Sequence, residues 1–346
     1  MKLKKVYLEL TNKCNLDCSI CYRKSWNEKL CDMDRELFDG ICEQISSEDE
    51  VESIVLGGIG EPTFSPLIYD AIERFKDYYL TITTNGTIMK DELLELMVNN
   101  VDEIIVSIDG LDDELQRIRG IELNIITENL KRLITLKKIK DSRIPSINIQ
   151  FVATKDNIDD IFPIIDLADS LKADSIIVSN LLPQSDENKE KILYTRYENK
   201  SIKELFHKIN NYSFRRGMKI YLPNCELKTE RRCNFVDDDT TYISSCGDVV
   251  PCYRFSHAYK EYVFGRVKLV DKYTFGNLND NSLASIWNSE EYVKFRNAVH
   301  NNLYPSCIDC DLVEGCDMVN DSAMDCYGYS PSCGDCLWSR KFVICT

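Results

Sequence analysis

Three thiols fall within eight residues near the start of this 346-residue chain: Cys14, Cys18 and Cys21 in "CNLDCSIC", spaced by three residues and then by two. No histidine stands near them. Three readings follow from the residue types. A catalytic zinc ion takes three protein ligands and a water, whereas a structural zinc wants a fourth ligand that this part of the chain does not clearly provide. A four-iron four-sulfur cluster held by three thiolates leaves its last iron open to a small molecule, which is the chemical advantage of stopping at three. Thiols that bind nothing and simply pack inside are the third.

The chain holds sixteen cysteines. Five lie before residue 43, none lies between 43 and 224, and eleven run from Cys225 to Cys345. A chain this long buries a substantial core and needs no disulfide stapling. The start, "MKLKKVYLELTNKC", is too polar for a signal peptide, and no run of about 18 apolar residues is present to span a bilayer. A reducing cytoplasm is the expected compartment, where many thiols point to metal ligation more than crosslinking. With 57 acidic against 42 basic residues and a formal charge of −15, the surface repels phosphate backbones, so neither nucleic acid nor membrane is an expected partner.

Elements must position these thiols. Strand-like runs at Val6–Leu10, Val51–Leu56, Leu80–Thr84, Glu103–Ile108, Ile147–Val152 and Ser175–Val178 are rich in β-branched residues and end near Gly, Asn or Asp. Between them, Asp34–Ser46, Pro66–Phe75, Lys90–Val98, Ile125–Ile139 and Ile158–Leu171 repeat apolar residues every three or four positions. This alternation predicts an α/β fold with a parallel sheet and helices outside it, six units making an open or partial barrel. Pro183–Asn199 reads as a polar, solvent-facing connection, followed by a helix near Ser201–Asn211. In such a sheet the site lies at the C-terminal ends of the strands. There the sequence places the three cysteines, then "GGIGEP" (Gly57–Pro62), "TTNG" (Thr83–Gly86) and "SIDG" (Ser107–Gly110). Each of the last three is, taken alone, also a good turn sequence.

The C-x3-C-x2-C arrangement followed by Tyr22 resembles the signature of the radical S-adenosylmethionine (radical SAM) enzymes, and the loops that follow in order strengthen the likeness. The resemblance implies a partial (β/α)6 barrel and a SAM-binding [4Fe-4S] cluster on Cys14, Cys18 and Cys21. It implies reductive cleavage of SAM to a 5'-deoxyadenosyl radical that abstracts hydrogen from a substrate. It makes Tyr22, Gly57, Gly58 and Gly60 neighbours of the cofactor, with Glu61 orienting its amine or capping the next helix. Thr84 and Asn85 would shape the pocket, and Ser107 and Asp109 would lie near the ribose. Arg119, in "RIRG", would neutralise the SAM carboxylate, and Gln150 or Asn148 would face the pocket from the fifth strand. Cys42, among Phe38, Ile41 and Ile45, reads as a core residue, and Cys31 carries little weight.

The thiol-rich tail resembles the SPASM extension of radical SAM proteins through Cys233, Gly247-x4-Cys252 and Cys307-x2-Cys310-x5-Cys316, although Asn320 stands where the usual next cysteine would be and Cys326 comes late. Zinc ribbons on "CIDC" and "CGDC" are the alternative. The resemblance implies two auxiliary [4Fe-4S] clusters, three in all. The expected partition is Cys225, Cys233, Cys252 and Cys326 on the inner cluster and Cys307, Cys310, Cys316 and Cys336 on the outer, with Cys246, Cys333 and Cys345 as substitutes. Domain bounds follow: a radical SAM core over 1–200, a linker helix and connection over 201–224, and a cysteine-rich SPASM-like α+β domain over 225–346.

The ending from Cys316 to "CLWSRKFVIC" is most similar to radical SAM maturases of tungsten-cofactor oxidoreductases. That likeness implies action on, or assembly of, a tungsten-cofactor oxidoreductase. The broader SPASM resemblance implies a peptide or protein substrate, such an oxidoreductase or its associated peptide among them, and a flavodoxin- or ferredoxin-like electron donor is the expected partner. A small-molecule or pterin substrate is the alternative. Tyr253 and Asp248 stand as candidate proton acceptors. A multi-zinc binding protein would need no SAM pocket, and an iron-sulfur electron carrier would need no "GGIGEP" loop.

Overall fold

The computed structural model describes residues 2–26 and 28–344. Cys345, one of the substitute ligands, lies outside them. Six strands form the centre of one sheet: β1 (Lys5–Leu8), β2 (Ser53–Leu56), β3 (Tyr79–Thr84), β4 (Glu103–Ser107), β5 (Ser146–Ala153) and β6 (Ser175–Asn180). They lie side by side in chain order and all pair in parallel. All six expected strands are therefore present. The α/β architecture with a parallel sheet is observed.

Helices cover the sheet for reasons visible in their sequences. In the helix Arg35–Ser46, Asp34 caps the N-terminus by accepting from Leu37 N at 2.9 Å. Leu37, Phe38, Ile41, Cys42 and Ile45 form its buried face, which confirms Cys42 as packing. The helix Asp112–Arg119 carries three acidic residues in its first turn and ends at Gly120, whose φ of 72° is the left-handed cap that glycine adopts without cost. Its Arg117–Gly120 end is the "RIRG" motif, here the last turn of a helix.

The chain then adds strands to both edges of this sheet. β7 (Lys219–Tyr221) pairs in parallel with β6, and β8 (Thr240–Ile243) pairs in parallel with β1. β9 (Asp248–Val250) and β12 (Gly276–Asn277) continue antiparallel beyond β8, giving a ten-stranded sheet. β10 (Tyr259–Val263) and β11 (Arg266–Val270) form a separate hairpin. The cysteine-rich part is thus fastened to the core through backbone hydrogen bonds along β1. Among the described residues no helix is long and apolar enough to cross a membrane.

Residues 183–199 differ from the expectation of a solvent-facing connection. Leu193 and Tyr194 are buried, and Tyr194 packs its ring on Phe342 at 4.8 Å and Phe264 at 5.6 Å. Asn199 donates to the carbonyl of Leu193 at 2.8 Å. The polar run flanks a short apolar anchor, which buries against Phe264 of a later hairpin and Phe342 near the C-terminal end of the described residues.

Candidate active site

A cavity of about 220 Å³ opens at the C-terminal ends of the parallel strands. Cys14, Cys18 and Cys21 line one wall. The loop that carries them is anchored from outside, since Ser19 N donates to the carbonyl of Ile118 at 2.8 Å and Asn188 Nδ2 to the carbonyl of Ser19 at 3.3 Å. Leu16 N points at Cys14 Sγ at 3.4 Å, and Asn85 Nδ2 approaches the same sulfur at 3.7 Å. Burial pushes the Cys18 thiol up to about 11, with the Arg119 charge pulling the other way. Burial also raises Cys14.

The glycine segment forms the adjoining wall. Gly58 and Gly60 line the cavity. A Cβ on Gly60 would come within 2.1 Å of the Thr11 carbonyl oxygen and 2.6 Å of that of Lys13, so only glycine lets this loop lie against the segment leading into Cys14. Gly57 does not line the cavity. It makes room for Thr83 instead, whose Oγ1 would stand 2.4 Å from an added Cβ.

Glu61 lines the cavity, yet its carboxylate is fully engaged. Oε1 accepts from Thr63 N, Thr63 Oγ1 and Thr84 Oγ1, and Oε2 from Asn85 N at 2.7 Å. It joins the second loop to the third and so fixes Thr84 and Asn85, which also line the cavity. The capping alternative is the geometry found.

Ser107 and Gln150 are partners across β4 and β5, and both line the cavity. Asn148 lies two residues before Gln150 on the same face, one layer deeper. There Ser175 donates to it and it donates to Glu103, both at 2.6 Å. Asp109 departs from the expectation of a ribose neighbour. It is fully buried and absent from the lining; Oδ2 accepts from Arg119 at 2.7 Å and Oδ1 from Val152 N at 2.8 Å. Its carboxylate therefore orients Arg119, which does line the cavity. Tyr22 lines it too, with its ring edge-on to Tyr259 at 6.5 Å.

Tyr253 faces this cavity and also a second one of about 160 Å³, lined by Cys233, Cys252 and Cys336. Asp248 lines neither cavity. It pairs with Lys272 at 2.6 Å and accepts from Asn277 at 3.0 Å, so as a proton acceptor for this site it is misplaced.

The C-terminal thiols can be described by their neighbours. Burial and the neighbouring Cys336, Cys233 and Cys252 sulfurs all raise the Cys333 thiol, which places these four together. Burial also takes Cys252 up to about 12, with Cys336 beside it. Cys307 is likewise pushed up to about 12 by burial, and Cys326 is among its charged neighbours. Cys310 follows Cys307 in a turn, and Cys316 packs on the Cys307, Val313 and Val319 cluster. By these neighbours Cys336 lies near Cys333, Cys233 and Cys252, and Cys326 lies near Cys307, whereas the expectation placed Cys326 on the inner group and Cys336 on the outer. Cys225 is buried, with Glu226, Lys203 and Lys228 as its charged neighbours. The Cys333–Cys336 turn also touches Cys307, whose N donates to the Gly334 carbonyl at 2.9 Å. Among the described residues no three His, Cys, Asp or Glu side chains converge tightly enough to hold one metal ion.

Several lining residues carried no assignment in the sequence. Arg23 donates to the Leu16 carbonyl at 2.7 Å and has Cys21, Cys14 and Cys18 as charged neighbours; burial opposes its charge, but those sulfurs more than restore it. Trp338, Val343 and Ile344 roof the cavity. The tail is pinned to the end of β6, where Ile344 N donates to Ser179 Oγ and Asn180 Nδ2 to the Phe342 carbonyl, each at 3.0 Å. The apolar residues among "LWSRKFVI" were the available signal; their target on β6 was not.

Residues 8–173 match the Radical SAM superfamily, and residues 233–311 match SPASM, an iron-sulfur cluster-binding domain. Over 350 aligned positions the chain is 40% identical to the tungsten-containing aldehyde ferredoxin oxidoreductase cofactor-modifying protein of Pyrococcus furiosus, covering 99% of this chain and 97% of that protein. Streptococcus suis SuiB bound to S-adenosylmethionine shares the fold with a TM-score of 0.66 at 18% identity, over 92% of this chain and 72% of SuiB. SuiB bound to the precursor peptide SuiA gives 0.65 at 17% identity, over 97% and 76%. With the loops in this order and a relative this similar along nearly its whole length, the chain belongs to the radical SAM superfamily, as an enzyme that carries a SPASM iron-sulfur domain.

Proposed function

We propose that the chain is a maturase for a tungsten-containing aldehyde ferredoxin oxidoreductase system, acting by hydrogen abstraction on a peptide or protein substrate. The observation that carries the system is the 40% identity along nearly the whole chain to a protein named for modifying that enzyme's cofactor. For the substrate class, the support is a pair of cavities that share Tyr253, Trp338, Val343 and Ile344 in their walls, one beside the three-cysteine loop and the other beside Cys233, Cys252 and Cys336.

The residues fit the implied cofactors. Cys14, Cys18 and Cys21 would hold a [4Fe-4S] cluster, with Gly58, Gly60, Asn85, Ser107 and Gln150 around SAM. When bound, cluster and SAM together supply a primary carbon radical that takes an unactivated hydrogen. The protein's own work is placement and exclusion. Arg23 and Arg119 balance negative charge beside the thiolates, Asp109 holds Arg119 in orientation, and Glu61 ties the glycine loop to Asn85. Trp338, Val343 and Ile344 keep water from the cavity roof. Tyr253 is the cavity-lining group placed to exchange a proton between the two cavities. Cys233, Cys252, Cys333 and Cys336 would hold an inner auxiliary cluster and Cys307, Cys310, Cys316 and Cys326 an outer one, three clusters in all. A flavodoxin- or ferredoxin-like protein would deliver the electron, in the cytoplasm.

The test is anaerobic incubation of the iron-loaded enzyme with SAM, a reductant and candidate partner polypeptides, followed by intact-mass and fragmentation analysis. A SAM-dependent mass change on one side chain is the expected result. A second reading, that the pterin cofactor itself is the substrate, is favoured by the same relative's name. Turnover of a pterin with no change in any polypeptide would establish it instead.

A further inference from the structure

Cys31 and Cys246 belong to none of the thiol groups above, yet their sulfurs stand 3.1 Å apart across 215 positions of sequence. That separation is about 1 Å longer than a disulfide bond. Both sulfurs are held by their backbones. Cys31 N donates to Asn12 Oδ1 at 2.7 Å, Asn12 N donates to the Cys31 carbonyl at 3.2 Å, and Met33 N donates to the Leu10 carbonyl at 2.9 Å. Residues 31–33 thus run antiparallel to the segment that leads directly into Cys14. Cys246 lies in the turn between β8 and β9. There Gly247, at φ +83°, donates to the Ser244 carbonyl at 2.9 Å, and Ser245 N donates to Glu9 Oε2 at 3.2 Å. Cys246 is exposed and Cys31 half-buried, so an outside reagent meets Cys246 first.

We propose that Cys31 and Cys246 form a reversible disulfide by exchange with a low-molecular-weight disulfide, RSSR. The Cys246 thiolate attacks one sulfur and releases RSH, and the Cys31 thiolate then displaces the second RSH from the mixed disulfide. In balance, two protein thiols and RSSR give one Cys31–Cys246 disulfide and two RSH. The crosslink covalently joins the segment preceding Cys14 to the β8–β9 turn of the C-terminal domain. In a reducing compartment such a bond is a transient, redox-sensing one. Burial and the adjacent Cys31 sulfur push the Cys246 thiol up to about 11, so exchange is faster in mild alkali than at neutrality.

The iron-loaded protein is incubated without oxygen with oxidised glutathione at about pH 8.5, near the ordinary thiol value. It is then alkylated, digested unreduced and mapped by mass spectrometry. The expected result is a Cys31–Cys246 linked peptide, loss of both thiols from the alkylated pool, unchanged iron, and full reversal by dithiothreitol. In Cys31→Ser the glutathione adduct should persist on Cys246, and in Cys246→Ser no crosslink to Cys31 should form. A wild-type adduct that stays on Cys246 while Cys31 is alkylated would overturn the proposal. Alkylation of both residues, or crosslinks only to the other cysteines, would do the same.

Discussion

The parallel core and the cysteine-rich C-terminal part contrast in what fills them. Behind β1–β6 the interior is apolar: Leu8, Leu56, Ile82, Ile104, Ile149 and Ile176 are fully buried. Beyond His300 the described residues contain no strand and no helix longer than a three-residue turn. Ser332, Asp335, Ser339 and Arg340 are buried there. Lys268 reaches the same interior, 3.2 Å from Asp335, and Arg254 pairs with Glu261 at 2.7 Å, both pairs out of solvent. Buried ion pairs do little more than offset their own desolvation. Both regions share one apolar cluster, which runs from β1–β6 through Phe255, Trp287, Tyr292, Ile308, Leu337 and Phe342, and the C-terminal part adds to it specific buried polar partners and its thiols.

That contrast can be broken first at the cysteines. Replacing Cys14, Cys18 and Cys21 with Ala should abolish 5'-deoxyadenosine formation while about two thirds of the iron of three four-iron clusters remains. Iron analysis and chromatography of the products check both. Iron falling to zero would tie the two regions into one unit.

The next largest effect concerns the C-terminal part alone. Replacing Cys333 and Cys336 with Ser should remove roughly a third of the iron and open that part to protease, with the parallel sheet still protected. Cys225→Ser should leave the iron unchanged. Limited proteolysis with mass mapping and iron counting separate the outcomes, and iron loss in the Cys225 variant would restore the partition expected from spacing.

Within the apolar core a single truncation should suffice. Ile104→Ala, at a fully buried site on β4, should cost about 3 kcal/mol of stability in denaturant titration, with the SAM-dependent cluster spectrum preserved in the folded fraction.

The smallest effect probes the seam between the regions. His257 is buried against Trp26, stacked at 3.8 Å, with Nδ1 2.8 Å from Glu28 and Nε2 3.6 Å from Glu9. Burial disfavours its charge, but the two carboxylates prevail and raise it to about 9. A group raised in the folded state stabilises fully below its ordinary value near 6.5 and loses that contribution as pH rises through about 9. Stability should therefore drop by something on the order of 2 kcal/mol across that window. His257→Gln should flatten the drop, and an unchanged pH profile in that variant would remove His257 from the seam.

Much of the core and of the site was legible in sequence for local reasons. β-branched runs ending at Gly and Asn mark strands whatever lies beside them, and motifs at successive strand ends must share a rim once the strands are parallel. The roles of Asp109 and Glu61 were not legible, because a carboxylate next to a pocket and one saturated by neighbours look alike until Arg119, Val152, Thr63 and Thr84 are in place. Asp248 misled for the same reason, its partners Lys272 and Asn277 lying 24 and 29 positions away. Tyr194 was hidden in a polar run because its burial depends on Phe342 and Phe264.

The sequence by itself determined the chemistry: three thiols at one spacing, a glycine loop, and a thiol-rich tail, all properties of neighbours along the chain. Tertiary structure alone decided which tail cysteines stand together, that β8 would pair with β1, that the C-terminal residues would roof the cavity, and that Cys31 would meet Cys246. Those outcomes depend on contacts between distant segments. Spacing limits such contacts to what the chain can reach, and packing selects among them.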